Sequence, residues 1–434
     1  MTLLVVRGPS SIDGRAVVPG DKSISHRALM LGAVGDGPTN LRNLGPGEDV
    51  ASTIRCLESY GVAIERTNGK AVVHGRGMRS WVPPQTVLDC GNSGTTMRML
   101  AGFATHYESR SEFDGDASLR IRPMQRLVAP LSALGARVTT TDGHAPVRVE
   151  GGRLEGADIT TDVPSAQVKS AAMFAALAAE GKTTVAEPSV SRDHTERLLR
   201  ALGAPLTDSR LPDGGHRIEM IDFAPPPFSL DVPGDASSSA FLVVAALLCG
   251  AVRIEGVGLN PTRIEYLGLL AKMGAHVAAK RKQDNLGEPV GTIDARRSDL
   301  TGIVIDAGGD PRIQDELPVI AVAATQATGA TKVGGAGELR VKESDRIATL
   351  VAGLRVLGAD IEELSDGFVV NGPTRLRGAV VTSAGDHRIA MALAVAGLVS
   401  EGETLVDGFE AAAVSWPGFG DVLRSLGAKV EVRS

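Results

Sequence analysis

One short pattern recurs six times along this chain: an apolar residue, then Gly with Ala or Val, placed after a helix-like stretch and before a strand-like one. The copies are LESYGVAIE, LSALGARVT, LRALGAPLT, LAKMGAHVA, LRVLGADIE and LRSLGAKVE. Their glycines (Gly61, Gly135, Gly203, Gly274, Gly358 and Gly427) lie 74, 68, 71, 84 and 69 residues apart. Glycine suits the left-handed residue that ends a helix, and the β-branched alternation after it predicts a strand. A second pattern runs in phase with the first. It is a polar turn followed by an Ala/Leu/Val-rich helix, starting at GDKSISHRALMLGA, GNSGTTMRMLAGFA, PSAQVKSAAMFAAL, PGDASSSAFLVVAAL, QDELPVIAVAATQA and GDHRIAMALAVAGL. These helices are apolar on nearly every side and are predicted to be buried. The more charged helices before each Gly-Ala are predicted to lie outside them.

Six such units can form a ring, a solenoid or two domains of three. Two domains are preferred, because three units can wrap three buried helices and solenoid repeats are usually shorter than ~50 residues. The length of 434 residues also exceeds the usual ~100–200 residues of one domain. The period puts a boundary near Val232–Pro233. The longest gap holds KRKQDNLGEPVGTIDARRSD, a charged insertion expected to be an exposed loop or hairpin.

Composition removes several function classes. A net charge of −6 and the lack of a Lys/Arg run long enough for a phosphodiester track argue against a nucleic-acid partner, and 3% aromatics leaves little for base stacking. The longest apolar run, Ala240 to Val252, falls short of a ~20-residue membrane span. The opening MTLLVVRGPSSIDG turns polar too soon for a signal peptide. A cytoplasmic protein with no membrane partner is expected. Cys56, Cys90 and Cys249 show no CxxC spacing, so a reduced compartment and no zinc site are expected. Cys90 reads as a small buried residue rather than a catalytic thiol. There is no GxxxxGK[ST], no His-x-x-x-His and no GxSxG. No metal and no cofactor are expected.

The first turns of the six buried helices carry the informative residues. They are Lys22-Ser23 with Arg27; Asn92-Ser93-Gly94-Thr95 with Arg98; Ser165-Ala166-Gln167 with Lys169; Asp235 with Ser237–Ser239; Asp315-Glu316; and Asp386-His387-Arg388. Ser, Asn and Asp are ordinary caps. Capping does not require Lys22, Arg27, His387 or Arg388. Free amides at a helix start, supplemented by Lys and Arg, make a phosphate or carboxylate site. The pattern therefore predicts a cation-rich, phosphate-seeking site. Outer segments add Arg120, Arg122 and Arg126, then Arg192-Asp193-His194, then ELRVKESDRI with Lys342, Glu343, Asp345 and Arg346. Taken alone, the last reads as a solvated helix face. Asp315 and Glu343 are the carboxylates best placed for acid–base work.

The stretches GDKSISHR, GNSGTTMR, GDASLRIRPM, PSAQVKSA, SRDHTE, VPGDASSSAF, QDELP, ELRVKESDR and GDHRIAMA follow one another over almost the whole chain. In this set and order the chain resembles the 5-enolpyruvylshikimate-3-phosphate synthases. The resemblance implies an α/β fold of two globular domains, each of three inverse α/β units with two helices and short strands, and an active site in the interdomain cleft. One domain would be discontinuous (1–19 and 233–434), the other inserted (20–232). The implied reaction moves the carboxyvinyl group of phosphoenolpyruvate to the 5-hydroxyl of shikimate 3-phosphate, with glyphosate as inhibitor and a monomer expected.

The resemblance also implies roles. Lys22, Ser23 and Arg27 contact substrate, Lys22 touching both. Ser165, Ala166, Gln167 and Arg192 hold shikimate 3-phosphate. Gly94, Arg122, Gln167, Arg346 and Arg388 hold phosphoenolpyruvate. Asp315 takes the hydroxyl proton with Lys342 nearby, and Glu343 or Lys22 protonates the methylene carbon. Asn92, Thr95 and His387 support these groups. Two positions depart from the family pattern: Ala166 replaces a common Ser, and Val414 a common Lys. The sister family acting on UDP-N-acetylglucosamine is disfavoured, because it usually has Lys-Asn at Lys22-Ser23 and Cys at Ala117. An inactive phosphate-binding repeat protein is a third reading.

Overall fold

The computed structural model describes residues 2–78, 80–308 and 310–433. The inner helices form at Lys22–Val34, Gly94–Ala104, Ala166–Ala176, Ala236–Cys249, Leu317–Thr325 and His387–Val399. Five have the cap that the sequence offers: Asp21, Ser93, Ser165, Asp235 and Asp386 each accept a hydrogen bond from a backbone N–H of the first turn. Leu317–Thr325 is entered instead through a 3-10 turn, Gln314–Glu316, with Pro318 in its first turn. All six repeat glycines have positive φ, between 80° and 103°. That left-handed turn ends the outer helix and aims the chain into the next strand.

Each repeat owns a four-stranded sheet. All six share a pattern: a parallel pair at one edge, whose inner member runs antiparallel to the next strand. In four repeats the parallel pair flanks its own inner helix, as in any strand–helix–strand crossover. In the other two the parallel partner comes from far along the chain. Ser229–Asp231 pairs with Asp36–Arg42, and Ile12–Val17 pairs with Gly250–Gly258. The strand Leu3–Gly8 sits inside the last sheet, antiparallel to Gly402–Asp407 and to Val430–Arg433.

The described chain divides into two compact units, each with its own apolar core. One comprises residues through Pro19, Gly234–Gln283 and Pro289 onward; the other comprises Gly20–Pro233 with Asp284–Glu288. In the first unit, Leu317–Thr325 is buried at every residue, and His387–Val399 at all but the last. Each Leu, Val or Ile so buried contributes ~1.5–3 kcal/mol relative to exposure.

The charged insertion forms a hairpin, His276–Asn285 with Glu288–Arg296. Its first strand is mostly exposed, as expected. Its second is mostly buried, because it pairs with Gly250–Gly258 in the interior of its sheet. Pocket geometry adds a groove of about 690 Å³ on this sheet, lined by Arg15, Arg253, His276 and Asp294 among others.

Helices Gly94–Ala104 and Ala166–Ala176 approach closely at Gly102. A Cβ added there would fall on the carbonyl oxygen of Ala171 and 2.8 Å from its Cα. Backbone cannot yield as a side-chain tip can. Gly102→Ala is expected to cost roughly 1–3 kcal/mol, read as a drop of several degrees in thermal midpoint. An unchanged midpoint would show that the two helices separate without penalty.

Candidate active site

In the unit containing Gly20–Pro233, the first inner helix presents its charges in two ways. Lys22, in the first turn, reaches Asp49 at 2.8 Å. Arg27, one turn on, is 2% exposed. Its Nε donates to Thr195 at 2.6 Å, its Nη1 to the Ser23 carbonyl at 2.9 Å, and its Nη2 to Ser170 at 2.8 Å. Burial pushes the Arg27 pKa down to about 10, against the pull of Glu196, Asp21 and Glu288, so it remains a cation at neutral pH. His26 between them is fully buried. Burial, with Lys22 and Arg27 close by, holds its pKa well below 6.5. The neutral ring meets Thr53 Oγ1 at 2.6 Å.

The next two helix starts interlock. Gln167 Nε2 donates to Thr95 Oγ1 at 2.8 Å, and Arg98 Nη1 donates to Gln167 Oε1 at 2.6 Å. Arg122, 7% exposed, donates through Nη2 to Asn92 Oδ1 at 2.5 Å and to Ser118 at 3.1 Å. Asn92 in turn donates to Asp116 at 2.7 Å. Gly94 opens its helix where an added Cβ would stand 3.6 Å from Arg122 Nη1 and 3.0 Å from Arg98 Nη1. Ser165 caps the helix on which Ala166 and Gln167 stand, and half-buried Arg192 lies in the loop before His194–Ala201.

Lys169 differs from its expected part in an exposed anion site. It is fully buried, 2.7 Å from both Glu187 and Glu196. A bare ammonium in an apolar interior is strongly unfavourable, so it turns inward to two carboxylates. Glu187 also accepts the Ser191 N–H at 3.0 Å, which pins the loop carrying Arg192. Burial alone would raise the Glu187 pKa. His216, Lys169 and Ser191 outweigh it and bring it down to about 2.

In the other unit, Arg346 is the centre. The segment that alone reads as a solvated face is split in the structure. Arg340 pairs outward with Asp345 and Glu363, whereas Arg346 is 1% exposed and inward. Its Nε donates to Asp386 at 2.8 Å, its Nη1 to Asp315 at 3.2 Å and its Nη2 to Glu343 at 2.6 Å. Burial lowers its pKa, but the three carboxylates more than reverse that. Asp315 Oδ2 also lies 3.4 Å from Arg388 Nη2, and Arg388 Nη1 donates to the Asp315 carbonyl at 2.9 Å. Burial lowers the pKa of the Lys342 ammonium, a shift that Asp315 opposes and Arg346 reinforces. His387 is buried at the first position of its helix.

Here the expected excess of cations is corrected. Lys342, Arg346 and Arg388 stand against Asp315, Glu343 and Asp386, because a buried guanidinium requires compensation. The cations are concentrated in the other unit. The structure thus joins Asp315, Glu343, Arg346 and Arg388 in one group. It joins Thr95 with Gln167, and Asn92 with Arg122. Sequence reading missed the partners Asp49, Thr195, Ser170 and Glu187. Each is an ordinary residue whose distance along the chain gives no signal. Cys90 is buried, and burial raises its thiol pKa well above the usual value, which removes it as a nucleophile.

Apolar helices ringed by small sheets, with arginine-held carboxylates at helix starts, define an enolpyruvyl transferase fold. Consistent with this, the fold matches that of the enolpyruvyl transferase NikO from Streptomyces tendae at a TM-score of 0.80 and 18% identity, covering 100% of this chain and 99% of that one. An EPSP synthase from Acinetobacter baumannii matches at a TM-score of 0.87 and 38% identity, with 100% of both chains covered. The family model for EPSP synthase (3-phosphoshikimate 1-carboxyvinyltransferase) matches residues 6–423. The 3-phosphoshikimate 1-carboxyvinyltransferase of Desulforamulus reducens is 46% identical over 428 residues, 98% of this chain and 99% of the relative. That of Roseiflexus castenholzii is 47% identical over 430 residues, 96% and 98%. The chain belongs to the EPSP synthase family. Membership defines an enzyme that transfers the carboxyvinyl group of phosphoenolpyruvate to shikimate 3-phosphate in the shikimate pathway, and leaves the sugar-nucleotide alternative less supported. Among the described residues, no helix is long and apolar enough to cross a membrane.

The depressed Glu187 pKa fixes the sign of a pH effect. Its ordinary value is 4.5 and its folded value about 2. The stabilisation is therefore complete above about pH 4.5 and fades as pH falls towards 2. The gap in thermal midpoint between the protein and Glu187→Gln should be widest near pH 6 and shrink by about pH 3. A gap independent of pH would mean that Glu187 is not held ionised by Lys169 and His216.

Proposed function

We propose that Asp315 is the base that takes the proton from the 5-hydroxyl of shikimate 3-phosphate, and that Glu343 or Lys22 delivers a proton to the methylene carbon of phosphoenolpyruvate. Protonation at carbon makes the neighbouring carbon electrophilic, the hydroxyl oxygen attacks it, and the tetrahedral ketal then expels phosphate while its methyl carbon returns a proton to the group that delivered it, which regenerates the double bond. The observation that carries this reading is the Arg346-centred group. Asp315 and Glu343 share one buried guanidinium, and Asp315 is fixed a second time by Arg388. Two carboxylates so placed stabilise the positive charge that develops on protonating the enol ether.

Binding roles follow on the same reading. Arg346 and Arg388, with Arg122, Gly94, Gln167 and Lys22, hold phosphoenolpyruvate. Guanidinium forks suit its carboxylate and phosphate. Lys22, Ser23, Arg27, Ser165, Ala166, Gln167, Arg192, Asp315 and Lys342 hold shikimate 3-phosphate, Ala166 through its backbone. Asn92, Thr95 and His387 act through Arg122, Gln167 and Arg388. Support comes from the hydrogen bonds of Asn92 and Thr95 and from the position of His387 beside Arg388. Glyphosate inhibits by competing with phosphoenolpyruvate. The enzyme works as a cytoplasmic monomer.

The direct test is phosphate release with both substrates present, then with each omitted in turn. Asp315→Ala should lower that release by roughly 10²–10⁴ while shikimate 3-phosphate binding, followed by calorimetry, persists. Turnover near that of the unaltered protein would remove Asp315 from the proton transfer.

Gly94 gives a second test. A methyl added there would sit against Arg98 and Arg122, where glyphosate, longer than phosphoenolpyruvate, needs space. Gly94→Ala should cost glyphosate ~1–3 kcal/mol, roughly 5- to 150-fold in affinity, and phosphoenolpyruvate less. The ratio of the glyphosate inhibition constant to the KM for phosphoenolpyruvate is the measurement. No rise in that ratio would place Gly94 away from the glyphosate pocket.

A further inference from the structure

Glu316 follows Asp315 directly, yet the two carboxylates do different things. Asp315 is half-buried and meets Arg346 and Arg388. Glu316 is 1% exposed. Its Oε1 accepts a hydrogen bond from Ser237 Oγ and lies 3.8 Å from Arg388 Nη1. Ser237 Oγ is itself held by Arg263 Nη2 at 2.8 Å. Arg263, 2% exposed, also reaches Asp235 Oδ1 at 3.4 Å. A line of buried groups thus runs from Asp235 through Arg263, Ser237 and Glu316 to Arg388. Along it the charges alternate and balance, two carboxylates against two guanidiniums.

This line reaches one side of the Arg388 guanidinium, while Asp315 engages it through its carbonyl and carboxylate oxygens. Arg388 has several rotatable bonds, and Asp315 engages it at Nη1 through its carbonyl and at Nη2 through its carboxylate. Glu316 adds a second, buried carboxylate 3.8 Å from Nη1, an ion pair rather than a hydrogen bond, which holds the guanidinium electrostatically.

We propose that Glu316, oriented by Ser237 and Arg263, is a positioning residue that fixes the Arg388 guanidinium and through it sets affinity for phosphoenolpyruvate. The proposal rests on the reading of Arg388 as a phosphoenolpyruvate ligand. Glu316→Gln keeps an oxygen for Ser237 but removes the negative charge facing Arg388. The KM for phosphoenolpyruvate should rise about tenfold or more, with the KM for shikimate 3-phosphate changed less than about twofold. Ser237→Ala keeps every charge and removes the group that orients Glu316. It should raise the same KM by a smaller factor, and it serves as the test if the glutamine variant does not fold.

Arg388→Lys, measured in parallel, separates the proposal from the reading beneath it. If its KM for phosphoenolpyruvate rises while Glu316→Gln and Ser237→Ala stay at the value of the unaltered protein, the proposal for Glu316 is overturned and the role of Arg388 stands. If Arg388→Lys leaves that KM unchanged, the reading of Arg388 fails and the proposal falls with it. An equal rise in both KM values for Glu316→Gln would mark general loosening of the unit and would also overturn it. A selective rise in all three variants supports it.

Discussion

A helix such as Leu317–Thr325, buried at every residue, has no side on which to carry a polar group. It must be covered on all sides, which is why three small sheets and their outer helices surround three inner helices in each unit. Only the first turn escapes this constraint. There the backbone amides lack helical partners and tolerate polar neighbours. Many of the candidate site residues gather there: Lys22, Gly94, Ala166, Asp315 and Arg388 all lie within two residues of an inner-helix start.

Placing charge at the rim of an apolar core has a cost, and the protein meets it with local neutrality. Arg346 sits among Asp315, Glu343 and Asp386. Lys169 sits between Glu187 and Glu196. Breaking such a set strands a buried charge, which is far more costly than never having built the set. Each set therefore also acts as a geometric lock. Arg346 fixes both carboxylates assigned to proton transfer. Lys169 ties the helix bearing Gln167 to the loop bearing Arg192, through Glu187 and the Ser191 N–H.

The chain ends serve the same need for cover. Three repeats complete their sheets locally. The two repeats that open a unit take their parallel edge strand from elsewhere in the sequence, Ser229–Asp231 for one and Ile12–Val17 for the other. Leu3–Gly8 completes the last sheet between Gly402–Asp407 and Val430–Arg433. Without these strands each of the three sheets would lack one of its four members.

By itself the sequence determined the sixfold repeat, the inner and outer helices, their caps and the motifs shared with the family. All of these are local: a helix period, a cap and a left-handed glycine depend on residues within about one turn of one another. For the same reason Asp315, Glu343, Arg346 and Arg388 were legible as candidates. What they touch was not. Lys22 finds Asp49 at 27 residues' separation, Arg27 finds Thr195 at 168, and Arg346 finds Asp386 at 40. Nor did the sequence show that Lys169 turns inward, that ELRVKESDRI divides into an exposed and a buried part, or which strands close the two opening sheets. Those outcomes depend on which helix ends packing brings together, and burial then decides which charges must be paired. Only the tertiary structure sets either.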